Sequence, residues 1–240
     1  MKHGPRIGMS LTLLLVIASA CLAQSVSPII TEYKEKGEGK IELSNNTLSP
    51  LVVTIQPMSF SIARDGTAIY RPLDPSIHVD LSTTSVRLEP RQDYYVFYKT
   101  RADSLPAWYT IYATFSPIQR GPGINVRIML PHTVYLYQKE SLRREDVRVG
   151  EVTYLPEKKL VVCDIENISK AYGRMREGTI QAGKDSVPVN GFPLLPGSPR
   201  VLQIPWTSSK TPEQISLHFD RFEIKLPVNQ GPPSLIASAK

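Results

Sequence analysis

Cysteine is scarce in this chain of 240 residues, which contains only Cys21 and Cys163. Cys21 lies in an N-terminal segment that has the features of a cleavable export signal, so one thiol would remain after processing. A single thiol cannot form an intramolecular disulfide, and the folded chain must therefore be stabilised by its apolar core. Cys163 lies in the apolar run 160–165. We predict that it is a buried small hydrophobic residue rather than a nucleophile.

The N-terminal segment lacks the length of a membrane-spanning helix, which needs about 20 apolar residues. It has a basic start at Lys2 and Arg6, an apolar stretch over 11–18 and small residues just before Gln24. This order is typical of a secretory signal peptide, which we place at residues 1–23. The stretch 18–21 also loosely resembles a lipoprotein cleavage box, in which Cys21 would be lipidated. We regard lipidation as the less favoured alternative, because Leu is usual where Ala18 stands.

Long helical periodicity is absent as well. The chain carries 21 Pro and 14 Gly among short apolar runs, a pattern that favours many short strands joined by turns. Two series of such runs flank a charged segment that is poor in apolar residues. We therefore predict an all-β fold of two immunoglobulin-like β-sandwich domains joined at an angle. The predicted parts are the signal peptide, an N-terminal domain, a hinge, a C-terminal domain and a flexible tail, at residues 1–23, 24–140, 141–149, 150–228 and 229–240.

The residue clusters that usually indicate catalysis are missing. The three histidines beyond the signal, His78, His132 and His218, lie far apart, and no pair has the spacing of metal ligands. Neither a nucleophile elbow nor a phosphate-binding loop occurs. The net charge is +6, but the basic residues are scattered and do not alternate with aromatic residues as in nucleic-acid platforms. We therefore expect no catalytic residues, metal, cofactor, small-molecule substrate or nucleic-acid partner.

The longest extended segment, residues 124–137, has a different character. Ile124, Val126, Ile128 and Leu130 alternate with other residues and form one aliphatic face. Pro131 cannot donate a ladder hydrogen bond, which indicates an edge position or a bulge. An edge strand can pair with a partner chain through its free backbone groups. The alternative is that the aliphatic face packs inside its own sandwich.

Four stretches of the chain form an ordered set of motifs: 41–45, the Arg-Leu-Glu-Pro stretch at 86–90, the long strand 124–137, and 165–167 followed by Leu-Pro at 195–196. In this order they resemble the PapD-like periplasmic pilus chaperones of the chaperone–usher pathway. The resemblance implies a periplasmic, non-enzymatic chaperone that binds and caps secreted pilin-like subunits. It implies that the long strand is donated to the subunit through Ile124, Val126, Ile128 and Leu130. It also implies delivery of the subunits to an outer-membrane usher for surface assembly.

The chain departs from this family at the residues that anchor the client. The resemblance implies an Arg on the first strand and a Lys near the end of the long strand, which together bind the client's C-terminal carboxylate. Matching of the flanking residues places Ile29 and Tyr135 at these positions, and neither side chain can form an ion pair with a carboxylate. Lys34, Lys40 and Lys139 are the candidates for a relocated anchor.

The missing anchors leave a second function open. A periplasmic or surface binding module with two immunoglobulin-like domains would use loops or sheet faces instead of the strand edge. Lipidation of Cys21 would attach such a module to a membrane. Recovery of the chain with a short, folding-incompetent subunit favours the chaperone, whereas a lipidated, membrane-bound form favours the module.

Overall fold

A computed structural model describes residues 24–118 and 126–231, and these residues form four β-sheets. Two sheets drawn from residues 24–137 share one apolar core, and two sheets drawn from residues 147–230 share another. The only helices in the described part are two 3-10 turns, Arg144–Asp146 and Pro156–Lys158. The prediction of an all-β fold with two immunoglobulin-like sandwich domains is confirmed. The predicted signal peptide, Cys21 and Ile124 lie outside the described residues.

The first sandwich contains two sheets, which we call sheets I and II. Sheet I has the strand order β1 (Gln24–Ser27), β3 (Lys36–Asn45), β8 (Gln92–Ala102) and β6 (Ile77–Leu81). Sheet II has the order β2 (Ile30–Lys34), β10 (Ile128–Tyr137), β9 (Ala107–Pro117), β4 (Leu51–Ile62) and β5 (Ala68–Pro72), and β7 (Ser85–Leu88) also pairs with β4. All of these pairings are antiparallel except that of β2 with β10, which is parallel.

The second sandwich contains sheets III and IV. Sheet III has the order β11 (Val147–Val149), β13 (Leu160–Asn167), β12 (Thr153–Leu155) and β19 (Asn229–Gln230), and β16 (Arg200–Pro205) pairs with β13. Sheet IV has the order β15 (Asp185–Leu194), β14 (Gly173–Ala182), β17 (Gln214–Phe219) and β18 (Glu223–Pro227).

Two segments carry more sheet structure than the sequence indicates. The final residues of the expected hinge form β11, which pairs with β13 and buries Val147 in the second core. The first residues of the expected tail form β19, which runs parallel to β12. Gly231 continues this contact by donating its backbone N–H to the carbonyl of Tyr154 at 3.1 Å. In both cases the edge of a neighbouring strand supplies hydrogen bonds that local sequence does not reveal.

Alternation along β9 determines which of its faces is buried. Tyr109, Ile111, Ala113 and Phe115 are all buried in the first core, as the period of two predicts. Trp108 lies on the opposite face, where its indole N–H donates to the carbonyl of Phe60 at 2.8 Å. At Trp108 the outer face of β9 packs against a buried cluster that includes Tyr172 and Leu195 of the second sandwich.

A buried asparagine closes the turn after one strand of each sandwich. Asn45, at the end of β3, donates through Nδ2 to three main-chain carbonyls, and its Oδ1 accepts from the backbone N–H and the hydroxyl of Thr47. Asn167, at the end of β13, donates to two main-chain carbonyls and accepts from the backbone N–H and the hydroxyl of Ser169. Both side chains are fully buried and fully hydrogen-bonded. Both asparagines are turn residues, a role that their short polar side chains favour.

Aromatic side chains join the two sandwiches. Phe60 and Tyr135 of sheet II pack with Tyr172 and Leu195 of the second sandwich in a small buried cluster. The ring of Tyr172 stacks on those of Tyr135 and Tyr137, with centroid distances of 5.2 and 5.6 Å. We call this contact the interdomain aromatic cluster.

The β4–β5 hairpin makes a second contact between the sandwiches. The backbone N–H of Val201, on β16, donates to the carbonyl of Arg64 at 2.6 Å. The guanidinium of Arg64 also pairs with Asp164 of β13 at 2.9 Å. The hairpin therefore pairs with a backbone N–H of β16 that would otherwise face solvent.

Burial determines the reactivity of the single thiol in the described residues. Cys163 is buried in the second core, and burial raises the pKa of its thiol to about 12, with a smaller contribution from the charge of Asp164. The thiolate is the reactive form, so we expect a maleimide to label Cys163 very slowly in the native protein and rapidly in denaturant. Mass spectrometry measures the labelling, with Cys163→Ser as the blank. Complete labelling of the native protein within seconds would contradict the buried position.

Candidate strand-pairing site

Strand β10 is paired on both edges along only part of its length. Its partner on one side, β9, runs beside it from Ile128 to Leu136. Its partner on the other side, β2, begins opposite Thr133 and ends opposite Tyr137. Within the described ranges, no strand covers that second edge over residues 128–132. We call this stretch the open edge.

The open edge exists because the chain changes sheets near its start. Residues 24–27 form β1, which pairs with β3 in sheet I. After Pro28 the chain crosses to sheet II, where β2 begins at Ile30. Residues that could have covered 128–132 are thus used in the opposite sheet.

The direction of the backbone groups follows from one hydrogen bond. The N–H of Thr133 donates to the carbonyl of Ile29 at 2.7 Å, so residue 133 faces β2. Backbone groups of alternate residues point to the same edge of a strand, so Met129 and Pro131 face the open edge. Met129 offers an N–H and a carbonyl, whereas Pro131 offers a carbonyl alone. The position of Pro131 agrees with the edge location that its missing N–H predicts.

The aliphatic face of the strand becomes more exposed towards its N-terminal end. Leu130 packs against the first core and Ile128 is half-buried. Val126, just before the strand, is 58% exposed, and Ile124 lies outside the described residues. Met129, on the opposite face, is 57% exposed. The inner end of this face is therefore partly packed in its own sandwich, while the outer end is available to a partner.

A buried histidine marks the end of the open edge. His132 is fully buried, with Nδ1 at 2.6 Å from the carbonyl of Pro28 and Nε2 at 2.9 Å from the hydroxyl of Tyr98. A carbonyl can only accept, so Nδ1 carries the proton and Nε2 accepts from Tyr98. The Tyr98 hydroxyl in turn accepts from Tyr33 at 2.9 Å. Burial lowers the pKa of His132, which keeps the neutral imidazole that this arrangement requires.

An acidic side chain lies beside Tyr135, in contact with the second sandwich. Glu32 of β2 is paired with Tyr135 in the strand register. Its Oε1 accepts from Nε of Arg174 at 2.7 Å and from the hydroxyl of Tyr172 at 2.8 Å. Arg176, which also bonds Asp220, reaches Oε2 of Glu32 at 4.0 Å. We call Glu32, Tyr172 and Arg174 the carboxylate cluster.

The family anchor positions hold no charge. Tyr135 is 4% exposed within the interdomain aromatic cluster. Ile29 is 63% exposed and contributes its main-chain carbonyl to Thr133. The chain therefore has an apolar and an aromatic residue where the resemblance implies two basic ones.

The three lysines proposed as relocated anchors do not converge. Lys139 pairs with Glu35 at 3.5 Å. Lys40 lies in sheet I, with its ammonium 4.4 Å from the ring centroid of Tyr95. Lys34 is the exposed last residue of β2. The carboxylate cluster has one signal in the sequence, which is that Tyr172, Arg174 and Arg176 occupy alternate positions. Their shared partner, Glu32, is distant in the chain and could not be identified from this pattern.

Two further observations concern other classes of site. In the parts of the chain that the structure covers, no three His, Cys, Asp or Glu side chains are grouped so as to hold a metal ion. No helix of the described residues has the length and apolar character needed to cross a membrane.

The buried imidazole should make stability depend on pH. Because the pKa of His132 is lowered from 6.5 in the folded chain, the unfolded chain binds the proton more readily. Its contribution is complete above about pH 6.5, and it decreases as the pH falls towards the folded pKa. We expect the free energy of unfolding to fall by at most about 1.4 kcal/mol per pH unit in this window.

Urea unfolding between about pH 7.5 and pH 5 measures this slope. His132→Gln should reduce the slope, whereas the surface variant His78→Gln should retain it. Hydrogen bonds hold the pKa values of three carboxyls, those of Asp65, Asp74 and Asp185, below 3.8. These groups therefore titrate below the pH range of the experiment and do not contribute to the slope. An unchanged slope in His132→Gln would contradict the role of the imidazole.

The carboxylate cluster should contribute to stability as a pair. Arg174→Leu leaves Glu32 partly buried without its cation, which we expect to cost about 2–3 kcal/mol. Adding Glu32→Gln removes the unpaired charge and should recover part of that loss. Arg64→Leu breaks an exposed ion pair between the same sandwiches and should cost less than about 1 kcal/mol. Equal losses for Arg64→Leu and Arg174→Leu, measured by urea unfolding, would argue against this assignment.

Comparison of the structure with known structures finds similar folds, whereas comparison of the sequence finds no match. No protein-family model and no curated protein sequence matches the chain. Among solved structures, Salmonella enterica SafA pilin in complex with the SafB chaperone matches with a TM-score of 0.54 and 13% identity, covering 88% of this chain and 98% of the other. The YadV chaperone matches with a TM-score of 0.53 and 11% identity, over 85% and 98% of the two chains.

The class 5 fimbriae chaperone CfaA matches with a TM-score of 0.52 and 8% identity, and covers 88% of this chain and 100% of its own. All three matches span both sandwiches, so the likeness concerns the whole two-domain arrangement rather than one immunoglobulin-like unit. The resemblance seen in the four sequence stretches is thus supported by the complete fold. The chain has the two-domain, all-β immunoglobulin-like fold of the PapD-like fimbrial chaperones.

Proposed function

We propose that this protein is a periplasmic chaperone that binds secreted pilin-like subunits by pairing a subunit strand with the open edge of β10. The observation that carries the proposal is the open edge of residues 128–132, which no strand of the described ranges covers, in a chain with the fold of fimbrial chaperones. One similar structure is a chaperone in complex with a pilin. The export signal predicted at residues 1–23 supports a periplasmic location, and delivery of subunits to an outer-membrane usher completes the proposed role.

The binding mechanism is addition of a β-strand. Met129 supplies an N–H and a carbonyl to the incoming strand, and Pro131 supplies a carbonyl. Ile128 and Leu130 line the inner side of the same strand, and Val126 extends this apolar row. Each aliphatic side chain that moves from water into an apolar groove of the subunit contributes up to about 1.5–3 kcal/mol. A subunit with an incomplete immunoglobulin-like fold would be protected from aggregation while its groove is covered.

The ladder and the apolar row, rather than a salt bridge, should dominate client affinity. Ile29 and Tyr135 cannot bind a carboxylate through charge, and Arg174 is already paired with Glu32 of the same chain. Lys34 lies at the far end of the β2–β10 pair, opposite Tyr137, and Lys139 follows two residues beyond Tyr137. A client strand on the open edge would bind at the opposite end of β10 from these lysines.

One surface supports the alternative of a binding module that uses a sheet face. Tyr95 and Phe97 of β8 are exposed on the outer side of sheet I. Lys40 and Lys99 flank them, and the strip borders a groove of about 550 Å³ beside β6. A ligand on this face would bind independently of β10, so variants of the open edge separate the two functions.

Met129→Pro tests the proposed mechanism. Among the residues that the structure describes, none pairs with the Met129 N–H, and the Met129 side chain is exposed, so proline should leave the fold intact while it removes the main donor of the open edge. We expect capture of a client to fall at least about tenfold, because a ladder bond is lost and the proline ring obstructs pairing. Met129→Ala changes the side chain but retains the donor, and it should bind as the wild type does.

The readout is an equimolar complex, isolated after co-expression with small secreted subunits encoded beside the gene. Circular dichroism and urea unfolding establish that both variants are folded. Capture by folded Met129→Pro at the wild-type level would show that the open edge is not the binding site. Loss of capture in variants of Phe97 alone would favour the binding module.

A further inference from the structure

We infer that Pro131 sets the register of the strand that binds the open edge. This inference rests on the proposed function and adds a determinant of which strands fit. The argument starts from the hydrogen-bonding groups that residues 128–132 present. Facing the edge are one complete donor–acceptor position, at Met129, and one position with an acceptor only, at Pro131. The next position along the same edge, Thr133, is already occupied by the carbonyl of Ile29.

An incoming strand therefore finds a different set of hydrogen-bonding groups at each position of the open edge. In an antiparallel orientation the residue opposite Met129 exchanges both ladder bonds with it, whereas in a parallel orientation the two bonds go to the residues on either side of that residue. The strand residue whose carbonyl lies opposite Pro131 finds no donor. A polar backbone group left unpaired in a protected interface is unfavourable, so registers that bury such a carbonyl are disfavoured. In the favoured register, the paired segment of the incoming strand ends opposite Pro131. The carbonyl of the incoming strand at that position then remains hydrated.

The start of β2 limits the strand at the same point. Beyond Pro131, the edge of β10 is paired with Ile29 and Ile30 at the start of β2. Inside the sandwich, His132 donates a hydrogen bond to the carbonyl of Pro28. An added strand thus meets β2 end to end and cannot extend past residue 131. The proline and the start of β2 together define one end of the binding site, while its other end lies towards residue 126.

The partner that fits this edge is a short extended segment with alternating side chains. Its inward side chains would lie beside Ile128 and Leu130 and should be aliphatic. Its outward side chains would lie beside Met129 and Pro131, on the face where Tyr112 pairs with Pro131 in the strand register. Its last paired residue needs a carbonyl that stays in contact with water.

Pro131→Ala restores the missing donor and tests the inference. The probe is a short, end-capped peptide that alternates Val and Thr, labelled for fluorescence anisotropy. We expect Pro131→Ala to bind it about two- to tenfold more tightly than the wild type, through the additional ladder bond. Amide hydrogen exchange should show the new N–H of residue 131 exchanging freely in the free protein and protected in the complex. Pro72→Ala, at an exposed proline of β5 on the opposite edge of sheet II, should bind the peptide as the wild type does.

Three results of this experiment would overturn different parts of the argument for the open edge. Failure of the wild type to bind the peptide overturns strand pairing itself, and with it the proposed function. Equal binding by wild type and Pro131→Ala, with no protection of the new amide, overturns only the role of Pro131 in register. Self-association of Pro131→Ala without tighter peptide binding, measured by analytical ultracentrifugation, also overturns it, because the proline would then serve to block edge-to-edge dimers.

Discussion

The hydrogen bond between His132 and the carbonyl of Pro28 holds the position at which the N-terminal chain crosses from one sheet to the other. The length of the open edge, the start of β2 and the placement of Glu32 all depend on this crossing. The imidazole can donate to Pro28 and accept from Tyr98 at the same time only in the neutral form, and Tyr33 donates to Tyr98 in turn. A single buried polar chain thus connects β2, β8 and β10 across the sandwich and fixes which part of β10 stays unpaired.

The carboxylate cluster changes the electrostatics of the contact between the sandwiches. In the resembled family this region is expected to present positive charge to a client, whereas this chain supplies its own carboxylate, Glu32, and compensates it with Arg174. The aromatic rings of Tyr135 and Tyr172 exclude water from the same region. The positive charge of Arg174 is therefore used to hold the two sandwiches together, and in the proposed chaperone role client recognition would rest on backbone pairing and apolar contacts.

Features that depend on local patterns could be predicted from sequence. The alternation in β9, the burial of Cys163 and the edge position of Pro131 each follow from a few neighbouring residues. Features that depend on distant pairs could not. The open edge ends where residue 133 meets residue 29, and Arg174 finds Glu32 from the other sandwich. Strand β11 was expected to be part of a hinge because its charged flanks hide the single buried side chain that attaches it to β13.

The buried asparagines have a consequence for producing the protein in other hosts. Asn45 and Asn167 both begin the Asn-x-Ser/Thr sequence that eukaryotic secretory cells glycosylate. In the folded chain each amide nitrogen is used to tie main-chain carbonyls together, so an attached sugar would displace those bonds and could not be accommodated inside the turn. Each sandwich carries one such site at an equivalent strand end, and modification would compete with folding in both halves. Expression without N-glycosylation leaves both amides free to form these turns, and a yeast or mammalian secretory route would require Thr47 and Ser169 to be replaced first.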